Sequence, residues 1–125
     1  MYEYQAIWMQ NKYSDGDTVW FEVDLGFRTS VKVEFRLHGI DTPERFTPEG
    51  KLATQYVKDW LLGHVGPKGQ VLIRTEVAPK TGDEDQEKYG RYLCEIFSWG
   101  EWPRSLNQEL LEQGLAKPYF GGKKG

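Results

Sequence analysis

The sequence has little cysteine, no long hydrophobic run and no recognisable leader. Its 125 residues include a single cysteine, which excludes an internal disulfide. No apolar segment approaches the roughly 18 residues that a membrane-spanning helix needs, so we expect no membrane association. The first ten residues, MYEYQAIWMQ, lack the basic start and apolar middle of a secretory signal. We therefore expect a soluble, cytoplasmic protein, with a secreted mature form as the alternative.

An excess of positive charge is also missing. The chain has 16 basic and 19 acidic residues and a net charge of −3, the wrong sign for attracting a polyanion from a distance. Any nucleic-acid partner must therefore be held by local contacts. The sequence contains no cluster of histidine and cysteine residues that would indicate a zinc site.

The residues that are present are those of one globular domain. Hydrophobic residues make up 38% of the chain and aromatic residues 14%, which excludes a disordered or fibrous protein. A chain of this length suits a single core. We expect a monomer with one domain over residues 1–120 and a flexible tail, GGKKG, over residues 121–125.

Apolar residues that alternate with polar ones predict five short strands. The alternation is clearest over residues 18–25 and 31–37, and further strands are expected over residues 2–9, 70–77 and 91–97. The connection GFRTS contains glycine and predicts a hairpin. A turn centred on Arg28 would pair Leu25 with Val31 and Val19 with Leu37.

This register brings two distant acids together. It places Asp17 opposite Gly39, so that Asp41 follows within a few ångströms of Asp17. Arg36 has the opposite parity to Asp17, and both side chains can line one pocket only if a bulge or a strong twist intervenes. Gly39 is a suitable place for such a break.

Two helices complete the predicted fold. Thr47 followed by Pro48 is a typical helix start, and apolar residues then recur at helical spacing, which predicts a helix over residues 48–63. Ser105 with Gln108 forms a capping box, and Gly114 marks the end of a second, short helix. The fold class is therefore α+β, mainly β, with a small closed sheet and Cys94 in its core.

The acidic residues near the hairpin form a candidate cation site. Asp17, Asp41 and Glu44, with backbone carbonyls such as that of Thr42, offer only oxygen ligands, as hard cations such as Ca²⁺ or Mg²⁺ prefer. Arg36 and Arg91 can supply the planar fork that clamps a phosphate. Taken singly, each fragment is better explained as a turn, a helix approach or a strand-edge charge, and it is their combination that favours a functional site.

Four motifs in order, DGDT, FRLHGIDTPE, KYGR and LLEQGLAKPY, resemble the staphylococcal nuclease (thermonuclease) family over nearly the whole chain. The resemblance implies a five-stranded OB-fold barrel with two or three packed helices. It also implies that Asp17, Asp41 and the carbonyl of Thr42 bind Ca²⁺. The implied catalytic residues are Arg36, Glu44 and Arg91.

The resemblance further implies the reaction. We expect an endonuclease that hydrolyses phosphodiester bonds of DNA and RNA with little sequence specificity, prefers single strands and leaves 3′-phosphate ends. Lys88 and Tyr89 would lie beside the terminal phosphate, or would equally be a loop cation and a packing aromatic. The carboxylate chemistry alone would also accept Mg²⁺ or Mn²⁺.

Several features depart from the family. The loop after Glu44 is short, the connection at residues 25–30 is long, and Tyr119 is followed by Phe120 where relatives have two tyrosines. An acidic run at residues 83–87 precedes KYGR and is either a solvated loop or a segment that restrains activity or recruits a partner. Two other classes stay open: a non-catalytic OB-fold module that binds nucleic acid or peptide, and an oligosaccharide- or protein-binding barrel with structural acids.

Overall fold

The computed structural model describes residues 2–75 and 92–119. Along the chain these residues form the following elements: β1 (Tyr2–Trp8), β2 (Thr18–Gly26), β3 (Thr29–Leu37), β4 (Ile40–Asp41), α1 (Pro48–Gly63), β5 (Gln70–Thr75), β6 (Tyr92–Phe97), α2 (Leu106–Glu112) and β7 (Lys117–Pro118). The predicted tail and the acidic run at residues 83–87 lie outside the described residues. None of the described helices has the length and apolar character needed to cross a membrane.

Five strands close into a barrel in the order β1-β2-β3-β6-β5. All neighbours are antiparallel except β3 and β6, which run parallel, and β1 pairs with β5 to complete the circle. Closure leaves the barrel without a free sheet edge. The predicted fold class, a mainly β five-stranded OB-type barrel with packed helices, is confirmed.

The core follows from the alternation of the strands and the helical spacing of α1. Alternate residues of the strands point inward, and the buried positions of α1 recur every three or four residues along one face. Cys94 is 1% exposed, which confirms its predicted place in the core, and burial raises the pKa of its thiol. The largest fully buried side chains are Phe21, Leu37, Ile40, Leu61, Ile73, Ile96, Leu106 and Leu110.

Both helices begin where the sequence predicts. The Thr47 side chain accepts a hydrogen bond from the Gly50 N–H, and Pro48 occupies the first turn of α1, whose bounds match the prediction. The Ser105 hydroxyl accepts from the Gln108 N–H at the start of α2. These caps satisfy amide groups that would otherwise have no partner in the helix.

The predicted hairpin register is wrong by two residues. Val31 pairs with Val23 rather than Leu25, and Val19 pairs with Phe35 rather than Leu37. A shift of two keeps each side chain on its predicted face, because the side-chain period of a strand is two. Asp17 consequently lies across from Leu37, whose N–H donates to the Asp17 carbonyl at 2.8 Å, and not from Gly39.

The geometry of the turn explains the error. The two central residues, Phe27 and Arg28, both have positive φ angles, 55° and 62°, and an irregularity between Asp24 and Gly26 adds a residue to β2. Asp24 stabilises this irregularity by accepting a hydrogen bond from the Gly26 N–H at 2.8 Å. A two-residue turn of this hand matches the strand twist, but it usually contains asparagine and glycine.

A sharp turn after β3 redirects the chain toward the site. Gly39 has φ of 82°, a conformation that residues with a side chain rarely adopt, and it separates β3 from β4. Asp41 in β4 pairs with Lys117 in β7. The predicted break at Gly39 is therefore present, and it takes the form of a turn that brings Asp41 back toward β3.

Candidate active site

The structure brings one guanidinium and two carboxylates together at the end of the β2–β3 pair. Nη2 of Arg36 lies 3.3 Å from Oδ1 of Asp41 and 3.9 Å from Oδ2 of Asp17. Arg36 is 4% exposed and Asp17 is 9% exposed. Charges of this kind are buried only where an opposite charge compensates for lost hydration. The convergence that the sequence predicts for these side chains is present despite the register error.

Tyr119 covers the buried arginine. Its ring centroid lies 4.6 Å from Cζ of Arg36, and its N–H donates to the Gly39 carbonyl at 2.9 Å. Stacking on an aromatic face favours a guanidinium that is withdrawn from water. Tyr119 is thus in contact with the candidate site, a placement that the sequence analysis did not predict.

The surroundings of Asp17 raise the pKa of its carboxyl group overall. Burial and the charge of Asp15 raise the pKa of Asp17, whereas the Thr42 N–H and the Arg36 guanidinium lower it. The Thr42 N–H donates to Oδ2 of Asp17 at 3.2 Å, and Oδ1 of Asp15 accepts from the Asp17 N–H at 3.1 Å. The protein alone does not fully neutralise this carboxylate, so a cation nearby would stabilise its charged form.

The donor set fits a hard cation. Asp17, Asp41 and the Thr42 carbonyl provide oxygen atoms only, and Ca²⁺ takes such ligands together with water. Within residues 2–75 and 92–119, however, no group of three or more His, Cys, Asp or Glu side chains is arranged to hold a metal ion. Glu44 therefore does not complete a three-carboxylate cluster.

Glu44 lies on a loop that is clamped to the first turn of α1. The Glu44 carbonyl accepts from the Thr47 N–H at 3.0 Å and from Oγ1 of Thr47 at 2.7 Å. A Cβ atom on Gly50 would lie 1.9 Å from the same carbonyl oxygen, so only glycine permits this approach. The backbone of Glu44 is thereby fixed, while its side chain is exposed.

One surface pocket connects Glu44 with Asp15 and Asp17, whereas Asp41 and Arg36 do not line it. The residues that line it are Tyr13, Asp15, Asp17, Thr42, Pro43, Glu44, Arg45 and Phe46. The candidate base Glu44, the candidate cation ligand Asp17 and Thr42 thus line the same space. A phosphate group that enters the pocket would meet all three.

Three predicted site residues, Lys88, Tyr89 and Arg91, lie outside the described residues. The chain is described again from Tyr92, which pairs with Phe35 on β3, and Leu93 pairs with Arg36. Strand β6 therefore runs beside the strand that carries the buried guanidinium.

Asn107 is a further residue that the sequence analysis missed. Its Oδ1 accepts from the Ile96 N–H at 3.1 Å, and its Nδ2 donates to the His38 carbonyl at 3.0 Å and the Cys94 carbonyl at 3.1 Å. One buried amide thus ties α2 to β6 and to the turn that leads to Asp41. The only signal in the sequence is a polar residue directly after the first apolar residue of a capped helix.

Comparison with known proteins agrees with this geometry. Residues 34–124 match the model of a family described as staphylococcal nuclease homologue. A search of curated proteins finds no match to the chain. The matched segment covers most of the chain and includes Arg36, Asp41, Thr42 and Glu44, and the chain belongs to the staphylococcal nuclease homologue family.

Proposed function

We propose that the chain is a calcium-dependent endonuclease that hydrolyses phosphodiester bonds of DNA and RNA with little sequence specificity and leaves 3′-phosphate ends. Membership of the nuclease family supports a nucleic-acid substrate. The observation that carries the catalytic part of the proposal is the state of the Arg36 guanidinium, which is buried but, among the described residues, makes only polar contacts of 3.3 Å or longer.

These contacts leave the guanidinium able to bind a ligand. Among the described residues, its polar contacts are 3.3 Å to Asp41, 3.5 Å to the Leu37 carbonyl and 3.9 Å to Asp17. Charge-assisted hydrogen bonds are ordinarily about 2.7–2.9 Å long. A phosphate that offers shorter bonds can therefore compete for the donors of Arg36, and the fork geometry allows two parallel bonds to its oxygens.

Arg36 would act mainly by electrostatic stabilisation. Negative charge builds on the phosphoryl oxygens as the attacking oxygen approaches, and a fixed guanidinium beside them lowers the energy of that state. The Tyr119 ring holds the guanidinium from one face, so reorientation during the reaction is small. Arg91 would supply a second guanidinium, as the family resemblance implies.

Glu44 would orient the attacking water and accept its proton. Its exposed carboxylate lines the pocket with Asp17 and Thr42, and its backbone is fixed by Thr47. A positioned carboxylate of this kind typically accelerates a reaction by about 10²–10⁴-fold. The hydrogen bonds from Thr47 to the Glu44 carbonyl matter because general base catalysis depends on the direction of the carboxylate.

Asp17, Asp41 and the Thr42 carbonyl would hold the cation. When bound, Ca²⁺ supplies Lewis-acid stabilisation of the charge on a phosphoryl oxygen, and Mg²⁺ or Mn²⁺ could occupy the same oxygen ligands. The carboxylates also keep Arg36 in place before substrate binds. The same two acids would therefore position both the cation and the guanidinium.

A cleavage assay tests the proposal. Single-stranded DNA and RNA labelled at the 5′ end are incubated with the native chain in Ca²⁺, in Mg²⁺ and in chelator. We expect cleavage to require a cation. Glu44→Gln and Arg36→Lys should each lower the cleavage rate by about 10²-fold or more. The control Glu101→Gln, whose side chain is exposed, should cleave at the native rate.

The product ends test the predicted polarity of cleavage. DNA fragments with 3′-phosphate ends are not extended by a polymerase until a phosphatase has removed the phosphate. Fragments that are extended directly would contradict the predicted ends, and cleavage that survives both chelator and Glu44→Gln would contradict the catalytic proposal.

One observation favours the second candidate, a non-catalytic barrel that binds nucleic acid or peptide. Within the described part of the chain the Arg36 guanidinium lies against both candidate cation ligands, 3.3 Å from Asp41 and 3.9 Å from Asp17, so the protein itself already supplies a positive charge to these carboxylates. If the native chain raises the fluorescence anisotropy of a labelled oligonucleotide or peptide but cleaves no nucleic acid in Ca²⁺, Mg²⁺ or Mn²⁺, this second candidate is correct.

A further inference from the structure

Two exposed aromatic rings and an arginine lie together at the rim of the pocket. Cζ of Arg45 lies 4.3 Å from the ring centroid of Tyr13 and 4.3 Å from that of Phe46. We call these three residues, Tyr13, Arg45 and Phe46, the aromatic shelf. All three line the pocket that also contains Asp17 and Glu44.

Stability of the fold does not explain the shelf. Phe46 is 75% exposed, so its ring withdraws little apolar surface from water, and Tyr13 is left 47% exposed. Phe46 also occupies a turn, where glycine, proline, asparagine, aspartate and serine are the residues usually favoured. A large ring at such a place is available to a ligand.

The shelf is fixed relative to the candidate site from both sides. The Tyr13 hydroxyl donates to Oδ2 of Asp15 at 2.9 Å, and Oδ1 of the same carboxylate accepts from the Asp17 N–H at 3.1 Å. Arg45 directly follows Glu44, whose carbonyl is bound by Thr47. A ligand on the shelf would therefore be held in a fixed position relative to Asp15, Asp17 and Glu44.

We propose that the aromatic shelf binds one unpaired nucleobase of the substrate strand, stacked on the exposed ring of Phe46, with the Arg45 charge beside the sugar-phosphate backbone. The inference deepens the proposed function and rests on its assumption that the pocket takes nucleic acid. Every base has a face that can stack on an aromatic ring, so this contact carries no sequence preference. A base in a duplex is already stacked and paired, so the contact selects single strands.

The charge of the protein supports this occupant. The net charge of −3 opposes a polyanion at long range, so contact at short range must supply the binding energy. Arg45 offers a cation at the rim, and it stacks on the rings rather than forming any ion pair among the described residues. A strand with negative phosphates and flat bases complements both properties.

Fluorescence of a stacked base tests the proposal. An oligothymidylate with one 2-aminopurine is titrated with the Glu44→Gln variant in Ca²⁺, so that the strand is not cut. We expect the 2-aminopurine fluorescence to be quenched on binding. Adding Phe46→Ala should weaken binding about tenfold and abolish the quenching. Phe46→Trp should restore both the affinity and the quenching. Phe46→Leu, which keeps an apolar side chain without a ring, should behave as Phe46→Ala does.

Trp102→Ala is the matched control. Trp102 is 88% exposed and does not line the pocket, so its removal should change neither binding nor quenching. In the otherwise native chain, Phe46→Ala should raise KM for single strands about tenfold and affect kcat much less, because stacking contributes equally to substrate and transition state.

The outcomes separate the two proposals. If single strands are cleaved but Phe46→Ala changes neither quenching nor KM, the shelf inference is wrong and the proposed function stands. If quenching depends on Phe46 but the chain cleaves nothing, the enzyme proposal is wrong and the shelf inference stands. If the chain binds no oligonucleotide at all, both are wrong.

Discussion

Replacement of Gly50 by alanine tests how the Glu44 loop is positioned. Gly50 lies in the first turn of α1, where alanine should be favoured because it forms helices better than glycine by about 1 kcal/mol. The structure predicts the opposite result, since the carbonyl of Glu44 occupies the space that the new methyl group needs.

The size of the effect follows from the distances. The added Cβ would lie 1.9 Å from the Glu44 oxygen, 2.6 Å from its carbonyl carbon and 2.9 Å from Cα of Arg45, and real Cβ contacts are essentially never under 3.0 Å. The peptide must therefore retreat by about 1 Å. This movement weakens the two hydrogen bonds from Thr47, at about 1 kcal/mol each, and overpacking adds about 1–3 kcal/mol.

After subtraction of the helix-propensity gain, we expect Gly50→Ala to lower the free energy of unfolding by about 2–4 kcal/mol. A misplacement of about 1 Å at a catalytic group can reduce turnover by about 10²-fold. Thermal unfolding and the Ca²⁺-dependent cleavage of single-stranded DNA measure the two effects.

Gly63→Ala is the matched control, because Gly63 lies at the other end of α1 and an added Cβ would meet nothing within 4 Å. It should unfold at the same or a higher temperature and cleave DNA at the native rate. If Gly50→Ala behaves like Gly63→Ala in both assays, the clamp between α1 and the Glu44 loop does not exist as described.

Substitutions at three other places test separate parts of the structure. Asp17→Asn should raise stability at neutral pH and abolish stabilisation by Ca²⁺. The folded-state pKa of Asp17 is raised, so the penalty for its charge is absent below the ordinary pKa, develops between the ordinary and the raised pKa, and is full above the raised pKa. A gain in stability that did not shrink toward acidic pH would contradict this account. Phe27→Asn with Arg28→Gly should stabilise the hairpin by about 1 kcal/mol, since asparagine and glycine tolerate positive φ. A lower unfolding temperature would show that these two residues do not have positive φ in the folded protein. Asn107→Ala should cost about 3 kcal/mol in chemical denaturation because it leaves buried groups unpaired, and Asn107→Asp should be at least as damaging at neutral pH, since a second carboxylate oxygen would face two carbonyls; a mild effect of both would refute the tethering role.

Local signals in the sequence predicted most of the fold. The bounds of α1 were predictable because a cap, a proline and an apolar stripe all act within a few residues of each other. The hairpin register was not, because it depends on positive φ angles at Phe27 and Arg28, which such side chains seldom adopt. The two-residue shift of the register nevertheless left each side chain of the hairpin on its predicted face of the sheet.

Only those contacts of the candidate site that follow from neighbouring positions in the chain and from strand pairing could be predicted from the sequence. The approach of Asp17, Arg36 and Asp41 follows from a hairpin and a turn at Gly39. The cover provided by Tyr119 was not predictable, because it depends on the two-residue pairing of β4 with β7, which has no periodic signal. The close approach of Gly50 to Glu44 likewise depends on tertiary packing.

The parallel pairing of β3 with β6 has a consequence for how the molecule is made. Arg36 and Leu93 meet across this seam although the chain between them contains β4, α1 and β5. Loop closure over such a separation is entropically expensive and tends to come late in folding. A half-synthesised or partly melted chain therefore lacks the closed barrel around Arg36. Recovery of the proposed cleavage activity during refolding would report this final closure rather than early collapse.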